Sequence, residues 1–209
     1  MKLVINIRGA NGSGKTAIIR EVLKHKANDC PPHEYTPTRT SKRAGKITNW
    51  PVARCVDKRL SNPIYVQGRY DVATGGCDRE EDMDAIEANI AWATKNLNGH
   101  ILFEGMCVSK SGTRWLANAQ NLDPQVGFLW LFLQPPPEAL FSRILRRNGG
   151  KEFNRKSVES TSRTVENIRQ KVLAVLPNWV FNLDWVLPPR LIYEQFVQIV
   201  GECEGRELT

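Results

Sequence analysis

Residues 9–16 of the chain are Gly9-Ala10-Asn11-Gly12-Ser13-Gly14-Lys15-Thr16. They fill every fixed position of the G-x-x-x-x-G-K-[ST] phosphate-binding loop. An apolar run of strand character, Leu3 to Ile7, precedes the loop, and Ala17 to Leu23 follows it with apolar residues at helical spacing. A strand, a loop and a helix in this order predict a P-loop that binds a nucleoside triphosphate.

The chemistry of this loop predicts its ligands. Its glycines allow the backbone to approach phosphate groups closely, so that successive N–H groups and the N-terminus of the following helix face the anion. Lys15 is expected to reach the β- and γ-phosphates, and the Thr16 hydroxyl is expected to bind Mg²⁺. We therefore expect ATP and Mg²⁺ as the cofactors, with all of residues 9–16 contacting the nucleotide.

Length and composition favour one domain over residues 1–209, since 209 residues with 41% apolar content suffice for one sizeable core. No run approaches 18 apolar residues, and the N-terminus begins with a strand instead of a leader. The five cysteines are scattered and include no C-x-x-C pair, which argues against a disulfide framework and a structural zinc site. These features predict a cytoplasmic protein that does not contact membranes.

The net charge of +7 is concentrated in residues 37–70, which hold eight basic residues and one acid. This stretch lies within a basic insertion at about 31–70, between the first helix and the next glycine-bearing loop. A concentrated basic field attracts polyanions, nucleic acid among them, and Arg43 is one candidate for contacting an acceptor. The alternatives are a solvated face or extra charge for a small phosphorylated substrate.

A loop from Gly68 to Asp78 follows two predicted strands, 47–56 and 63–70, and precedes a predicted helix at about 79–97. It brings Arg69 and Tyr70 to a position where Arg69 could hold an acceptor phosphate and Tyr70 could stack on a base. Asp78 is a candidate for orienting or deprotonating the acceptor hydroxyl. Asp78 and Glu81 also have the spacing of a capping box, so Asp78 has a structural alternative.

Glu104 ends a further apolar strand, Ile101 to Phe103. A carboxylate at the end of a buried strand beside a phosphate loop is expected to be an Mg²⁺ ligand or the base that orients the attacking hydroxyl. The alternative is an acid that merely ends a strand. A short helix is predicted within 109–120, and the continuously apolar residues 126–133 predict a strand covered on both faces.

Arginines follow this strand on a predicted helix at 138–147, and a basic, glycine-bearing loop comes next. We predict a mobile lid at about 143–156, in which Arg143 and Arg147 offset charge on the transferring phosphoryl group. The alternative is a favourable placement of cations at the C-terminus of a helix. A helix at 161–176, a short strand at 179–186 and a terminal helix complete the prediction of a three-layer α/β fold with a mainly parallel sheet.

The order of these elements resembles the thymidylate-kinase-like group of P-loop nucleotide kinases, although only the P-loop is specific. More narrowly, Gly68-Arg69-Tyr70 with Gly75-Gly76-Cys77-Asp78, and the later Ile101 to Gly105, are similar to small P-loop kinases encoded by tailed bacteriophages. Some members of that wider group phosphorylate 5-hydroxymethyluracil within DNA. Glu104, where an Asp-Arg pair is common, and the basic insertion depart from ordinary nucleoside monophosphate kinases.

The resemblance implies an Mg-ATP-dependent kinase that transfers the γ-phosphoryl group to a hydroxyl, with a hydroxymethylated pyrimidine in phage DNA as the leading acceptor. It also implies action in the host cytoplasm. A free deoxynucleoside monophosphate is the alternative acceptor, and an ATP-dependent DNA-binding switch without transfer is the alternative from another class. The residues that contact adenine and the choice between Asp78 and Glu104 as the base remain open at this stage.

Overall fold

A seven-stranded sheet forms the centre of the protein in the computed structural model, which describes residues 1–30, 33–35, 48–70, 76–77 and 83–206. The strands are β1 Lys2–Arg8, β2 Lys26–Asp29, β3 His33–Tyr35, β4 Thr48–Trp50, β5 Val52–Cys55, β6 Ile64–Gln67, β7 His100–Glu104, β8 Val126–Phe132 and β9 Val180–Asn182. The helices are α1 Lys15–Leu23, α2 Met83–Asn96, α3 Met106–Lys110, α4 Gly112–Gln120, α5 Pro137–Arg147, α6 Arg155–Val175 and α7 Pro189–Glu204.

The strand order of the large sheet is β2-β5-β6-β7-β1-β8-β9. Strands β6, β7, β1, β8 and β9 pair in parallel, whereas β5 pairs antiparallel with both β6 and β2. Strands β1, β7 and β8 are almost entirely buried, as parallel strands covered by helices should be. The predicted mainly parallel sheet is confirmed.

Helices cover both faces of this sheet and complete three layers. One apolar cluster joins the sheet to α1 and α7, through residues such as Ile18, Val22 and Phe196. A second cluster joins the opposite face to α2, α3, α4 and α6, through residues such as Ile86 and Trp115. Within the described residues, no helix is both long and apolar enough to cross a bilayer.

Two of the predicted elements are each divided into two in the structure. The strand predicted at 47–56 is two strands, β4 and β5, which flank Pro51 and belong to different sheets. Proline lacks the N–H that a continuous ladder needs, so it separates them. The single helix predicted within 109–120 is likewise two helices, α3 and α4, and α3 begins at Met106, two residues after Glu104.

The predicted lid segment also contains more helix than expected. Asn154 accepts a hydrogen bond from the Ser157 N–H and caps α6, which begins at Arg155. Arg155 and Lys156 therefore occupy the first turn of a helix, and the non-helical part shortens to 148–154. Gly149 and Gly150 take positive φ values there, with no atom within 4 Å of the position of an added Cβ. The motion of this segment as a lid remains a prediction.

A buried polar network fixes the start of β7 to the end of α7. His100 is fully buried, its Nδ1 accepts from the Leu3 N–H, and its Nε2 donates to Glu204 Oε1 at 2.7 Å. Glu204 also accepts from the Ser61 and Asn62 N–H groups. Burial lowers the pKa of His100 below its ordinary value of 6.5, so the ring is neutral in the fold. The helix and the sheet are thereby joined on the side away from the phosphate loop.

This network predicts a pH dependence of stability. Because the pKa of His100 is lower in the fold than in the unfolded chain, the unfolded chain binds the proton more readily. The contribution of neutral His100 to the free energy of unfolding is complete above about pH 6.5. It decreases as the pH falls, by at most about 1.4 kcal/mol per pH unit. We expect His100→Gln, which cannot titrate, to show a flatter dependence between pH 7.5 and 5.5. Urea unfolding of both proteins across this range tests it, and equal slopes would contradict it.

Candidate active site

The P-loop connects β1 directly to α1 at the carboxyl edge of the sheet. Gly12 and Gly14 have φ values of 80° and 108°, which residues with a Cβ rarely adopt. At Gly9, an added Cβ would lie 2.4 Å from Ser13 Oγ and 2.7 Å from the Leu133 carbonyl oxygen. The glycines therefore let the loop fold tightly, as a phosphate-binding loop requires.

Lys15 opens α1 and its side chain lies along the loop. The ammonium group is largely buried, and its Nζ donates to the carbonyl oxygens of Gly9 at 2.8 Å and Ala10 at 3.3 Å. The backbone N–H groups of Ala17 and Ile18 pair with the Gly14 carbonyl and start the helix. The positive end of the helix dipole and the Lys15 charge thus lie at the same loop.

Thr16 and Glu104 meet in front of this loop. The Thr16 hydroxyl donates to Glu104 Oε1 at 3.0 Å, and Glu104 is 1% exposed. The contact follows from the sheet, because Ile7 at the end of β1 pairs in register with Glu104 at the end of β7. A hydroxyl and a carboxylate oxygen side by side are ligands that suit a hard divalent cation, so these two residues fit Mg²⁺.

The loop after β6 folds back onto Glu104 through Gly76. The Gly76 N–H donates to the Arg69 carbonyl at 2.6 Å, and Gly76 has a φ of 81°. An added Cβ at Gly76 would lie 2.7 Å from Glu104 Oε1 and 2.8 Å from its carbonyl oxygen. Only glycine therefore permits this approach, and the Gly76 backbone packs closely against the Glu104 carboxylate.

The predicted acceptor-binding residues are described only in part. Arg69 is exposed beside Gly76, and Tyr70 is half-buried against the apolar cluster of the α1 and α7 face. Part of the Tyr70 ring is thus already packed in the core. Asp78 and Arg43 lie outside the described residues, so their predicted roles stay predictions.

The two predicted lid arginines have different surroundings. Arg143 on α5 donates from Nη1 to the Ser13 carbonyl at 3.1 Å and from Nη2 to the Trp185 carbonyl at 2.8 Å. Its guanidinium also lies 5.4 Å from the centre of the Trp185 ring. Arg147 is exposed one turn further along, where its Nε donates to Asn148 Oδ1 at 3.5 Å. Arg143 therefore touches the phosphate loop, whereas Arg147 lies at the solvent end of the helix.

Arg8 is a buried cation that the sequence-based analysis missed. Its guanidinium is fully buried 4.5 Å from the Trp130 ring centre, and its Nη1 donates to the Ser109 carbonyl at 3.3 Å. Burial lowers the pKa of Arg8 to about 9. The Ser109 hydroxyl in turn accepts from the Gly9 N–H at 3.4 Å. Arg8 and Ser109 thus join α3 to the first residue of the phosphate loop. The signal in the sequence was a charged residue at the end of a largely apolar strand.

Comparison with known proteins identifies a family. The model of the 5-hmdU DNA kinase family matches residues 3–181, which include the P-loop, Glu104, Arg143 and Arg147. The chain belongs to the 5-hmdU DNA kinase family. It is therefore a kinase by family, and its phosphate loop lies inside the matched region.

Individual relatives carry the same name. The chain is 30% identical over 175 residues to the 5-hmdU DNA kinase of Pseudomonas phage M6, covering 81% of this chain and 85% of that protein. It is 28% identical over 174 residues to 5-hmdU DNA kinase 1 of Salmonella phage ViI, covering 82% and 71%. Among solved structures, deoxyadenosine kinase from M. mycoides with bound dATP matches with a TM-score of 0.48 and 16% identity, over 95% of this chain and 98% of that one.

The close approach of Gly76 to Glu104 predicts the effect of adding a methyl group at position 76. We expect Gly76→Ala to displace the Glu104 carboxylate and to lower kcat about 10²-fold, since small displacements of catalytic groups have effects of that size. Steady-state kinetics and thermal unfolding measure the two consequences. Gly149→Ala is the control for stability, because Gly149 also has a positive φ but open space around it. A Gly76→Ala enzyme with normal kcat would contradict this role of Gly76.

Proposed function

We propose that the protein transfers the γ-phosphoryl group of ATP to the 5-hydroxymethyl hydroxyl of 5-hydroxymethyluracil within DNA. The observation that supports it most is the contact between Thr16 and Glu104 in front of a complete phosphate loop, in a chain that belongs to the 5-hmdU DNA kinase family. The names of the relatives supply the acceptor, and they are phage proteins. The enzyme would then act in the host cytoplasm.

In this proposal the phosphate loop, Lys15 and Arg143 bind and neutralise the triphosphate. Phosphoryl transfer depends on positioning and on offsetting negative charge, and the three groups lie within one loop and its contacts. Thr16 and Glu104 would hold Mg²⁺, which screens the phosphate oxygens when it is bound. Arg147 would approach the triphosphate only if the C-terminal end of α5 and the following loop move, as the predicted lid requires.

The two candidate carboxylates receive separate roles in the proposal. Glu104 contacts Thr16 and is confined by Gly76, which favours a fixed metal-binding group over a proton acceptor that must reach the substrate. Asp78 follows Gly76 by two residues and is the proposed group that orients or deprotonates the acceptor hydroxyl. Arg69 beside Gly76 would hold an acceptor phosphate, with Tyr70 adjoining it.

We assign the proposed DNA contact to cations of the basic insertion, with the exception of Arg59. Arg59 donates to Asp57 and to Glu194 and lies over the Tyr193 ring, so it is engaged in joining the β5–β6 loop to α7. The hydrogen bonds from Arg59 keep the pKa of Asp57 far below its usual range. Arg59 therefore serves the fold. The remaining cations of the segment, Lys58 and Arg43 among them, would contact the DNA backbone.

Removal of Lys15 tests the kinase activity itself. We expect Lys15→Ala to lower transfer from γ-labelled ATP by at least ~10²-fold, about 3 kcal/mol, because a charge partner of the transition state is lost. Lys171→Ala, at an exposed site on α6, is the control. Label should enter DNA that contains 5-hydroxymethyluracil. Label in a free nucleotide would favour a nucleotide kinase, and label only in inorganic phosphate would favour a DNA-binding switch.

The charge of the insertion predicts a salt-dependent affinity for DNA. Each phosphate contact that is lost should lower the slope of log K against log salt by about 0.7 to 0.9. We expect the combined Lys42→Ala, Arg43→Ala and Lys46→Ala variant to flatten the slope while leaving the affinity for ATP nearly unchanged. Titration of a fluorescent DNA oligomer at several salt concentrations measures it.

The matched control replaces three exposed cations on helices outside the insertion, Lys95, Arg163 and Lys171, with alanine. Equal slopes for the native protein and the insertion variant would show that Lys42, Arg43 and Lys46 do not contact the DNA backbone. No DNA binding at low salt, together with rapid phosphorylation of a free deoxynucleotide, would contradict DNA as the acceptor.

A further inference from the structure

Gln67 ends β6 on the face of the sheet that α2, α3, α4 and α6 cover. Side chains alternate along a strand, so Gln67 shares its face with Tyr65, which belongs to the apolar cluster of that side. Val66 pairs in register with Leu102, and Gln67 is the next residue along. Asn6 pairs with both Phe103 and Trp130. One row across four strands at the carboxyl edge therefore holds Gln67, Phe103, Asn6 and Trp130.

The Gln67 amide is buried, and its polar atoms form no hydrogen bonds with the described residues. Its exposed fraction is 0%, and within the described part of the chain neither Oε1 nor Nε2 has a partner. Buried polar atoms are almost always paired in native proteins, and an unpaired amide lowers the stability of the fold. Retention of such a group requires an explanation, such as a bound ligand or water, since leucine would fill a similar volume with no polar atoms to satisfy.

Gln134 provides an internal comparison. It follows the end of β8 as Gln67 ends β6, but its Nε2 donates to Glu166 on α6. A glutamine at a strand end on this sheet therefore can be paired by a neighbouring helix. Gln67 differs in having both polar atoms unpaired and in lying on the strand beside β7, whose last residue is Glu104.

The position and chemistry of Gln67 together indicate a ligand. In open α/β sheets, substrates bind in the crevice outside the carboxyl ends of the strands. Gln67, Glu104 and the phosphate loop all lie at this edge of the sheet. An amide offers one donor and one acceptor side by side, which complements an adjacent carbonyl and N–H. The C4 carbonyl and N3–H of a uracil ring form such an edge. The 5-hydroxymethyl group is attached next to C4, so it projects beside the same edge.

We propose that Gln67 recognises the acceptor base, with Nε2 donating to the C4 carbonyl and Oε1 accepting from N3–H of 5-hydroxymethyluracil. The inference rests on the proposed function and extends it to the group that selects the base. A base held in this way lies with its hydroxymethyl group toward the neighbouring strand end, where Glu104 and Thr16 meet. The same contact explains why an amide is retained beside Phe103 in this row.

The test compares Gln67→Leu with the native protein in two measurements. In the first, the KM for an oligomer that contains 5-hydroxymethyluracil should rise at least about tenfold, as expected for loss of a bidentate contact to a base. The KM for ATP should change less than twofold. In the second, the Tm should stay the same or rise, because two unpaired polar atoms have been removed. Gln134→Leu, which removes a paired glutamine, should instead lower the Tm.

Either of two results with Gln67→Leu would overturn the inference. A Gln67→Leu protein with lower Tm, or one that does not fold, would show that the amide is satisfied and structural. A normal KM for the acceptor with an unchanged or raised Tm would show that Gln67 binds a buried water only. Gln67→Glu keeps the shape and replaces the donor, so it should also raise the acceptor KM; a normal value would count against the proposal.

Failure of the proposed function remains distinguishable from failure of the inference. The native protein alone decides the function, through the entry of label into DNA with 5-hydroxymethyluracil. The ratio of variant to native KM decides the inference, on whichever pyrimidine acceptor the native protein labels. A native protein that labels a free nucleotide would overturn the proposed function. A ratio of variant to native KM near one on that nucleotide would overturn the inference about Gln67.

Discussion

The parallel pairing of β1 with β7 is the constraint on which the catalytic edge depends. The phosphate loop continues from one of these strands and Glu104 ends the other, so their register decides whether the carboxylate meets Thr16. Both strands are buried between helices, and neither can slip by one residue without turning its apolar side chains to the opposite face. The relative position of the Thr16 hydroxyl and the Glu104 carboxylate is therefore determined by core packing, before any nucleotide binds.

Much of this arrangement could be predicted from the sequence, since local patterns encode it. The P-loop has a fixed pattern, and continuous apolar runs predicted the strands that carry Glu104 and Trp130. Of the boundaries that were wrong, two reflect local effects that were given too little weight. Pro51 divides a β-branched stretch into strands of two sheets, and Asn154 starts a helix within a segment that looked like a polar loop.

The features that could not be predicted depend on contacts between residues distant in sequence. Gly76 approaches Glu104 across 28 positions of the chain, and only the folded loop reveals that a Cβ there would collide with the carboxylate. Arg59 appeared equivalent to its basic neighbours until Asp57 and Glu194 proved to be its partners. Arg8 and Gln67 each read as an isolated polar residue in an apolar strand. Their surroundings, and not their patterns, distinguish them.

The tie between His100 and Glu204 gives β7 a fixed point at each end. His100 begins the strand and binds α7, and Glu104, four residues later, ends it at the nucleotide side. At about 3.3 Å per residue these ends are roughly 13 Å apart, and a strand buried in a sheet bends little over that length. In genetic terms, the helix at one side of the protein and the carboxylate at the other are coupled through this one strand. Substitutions that loosen α7 and substitutions at the nucleotide edge would therefore share suppressors.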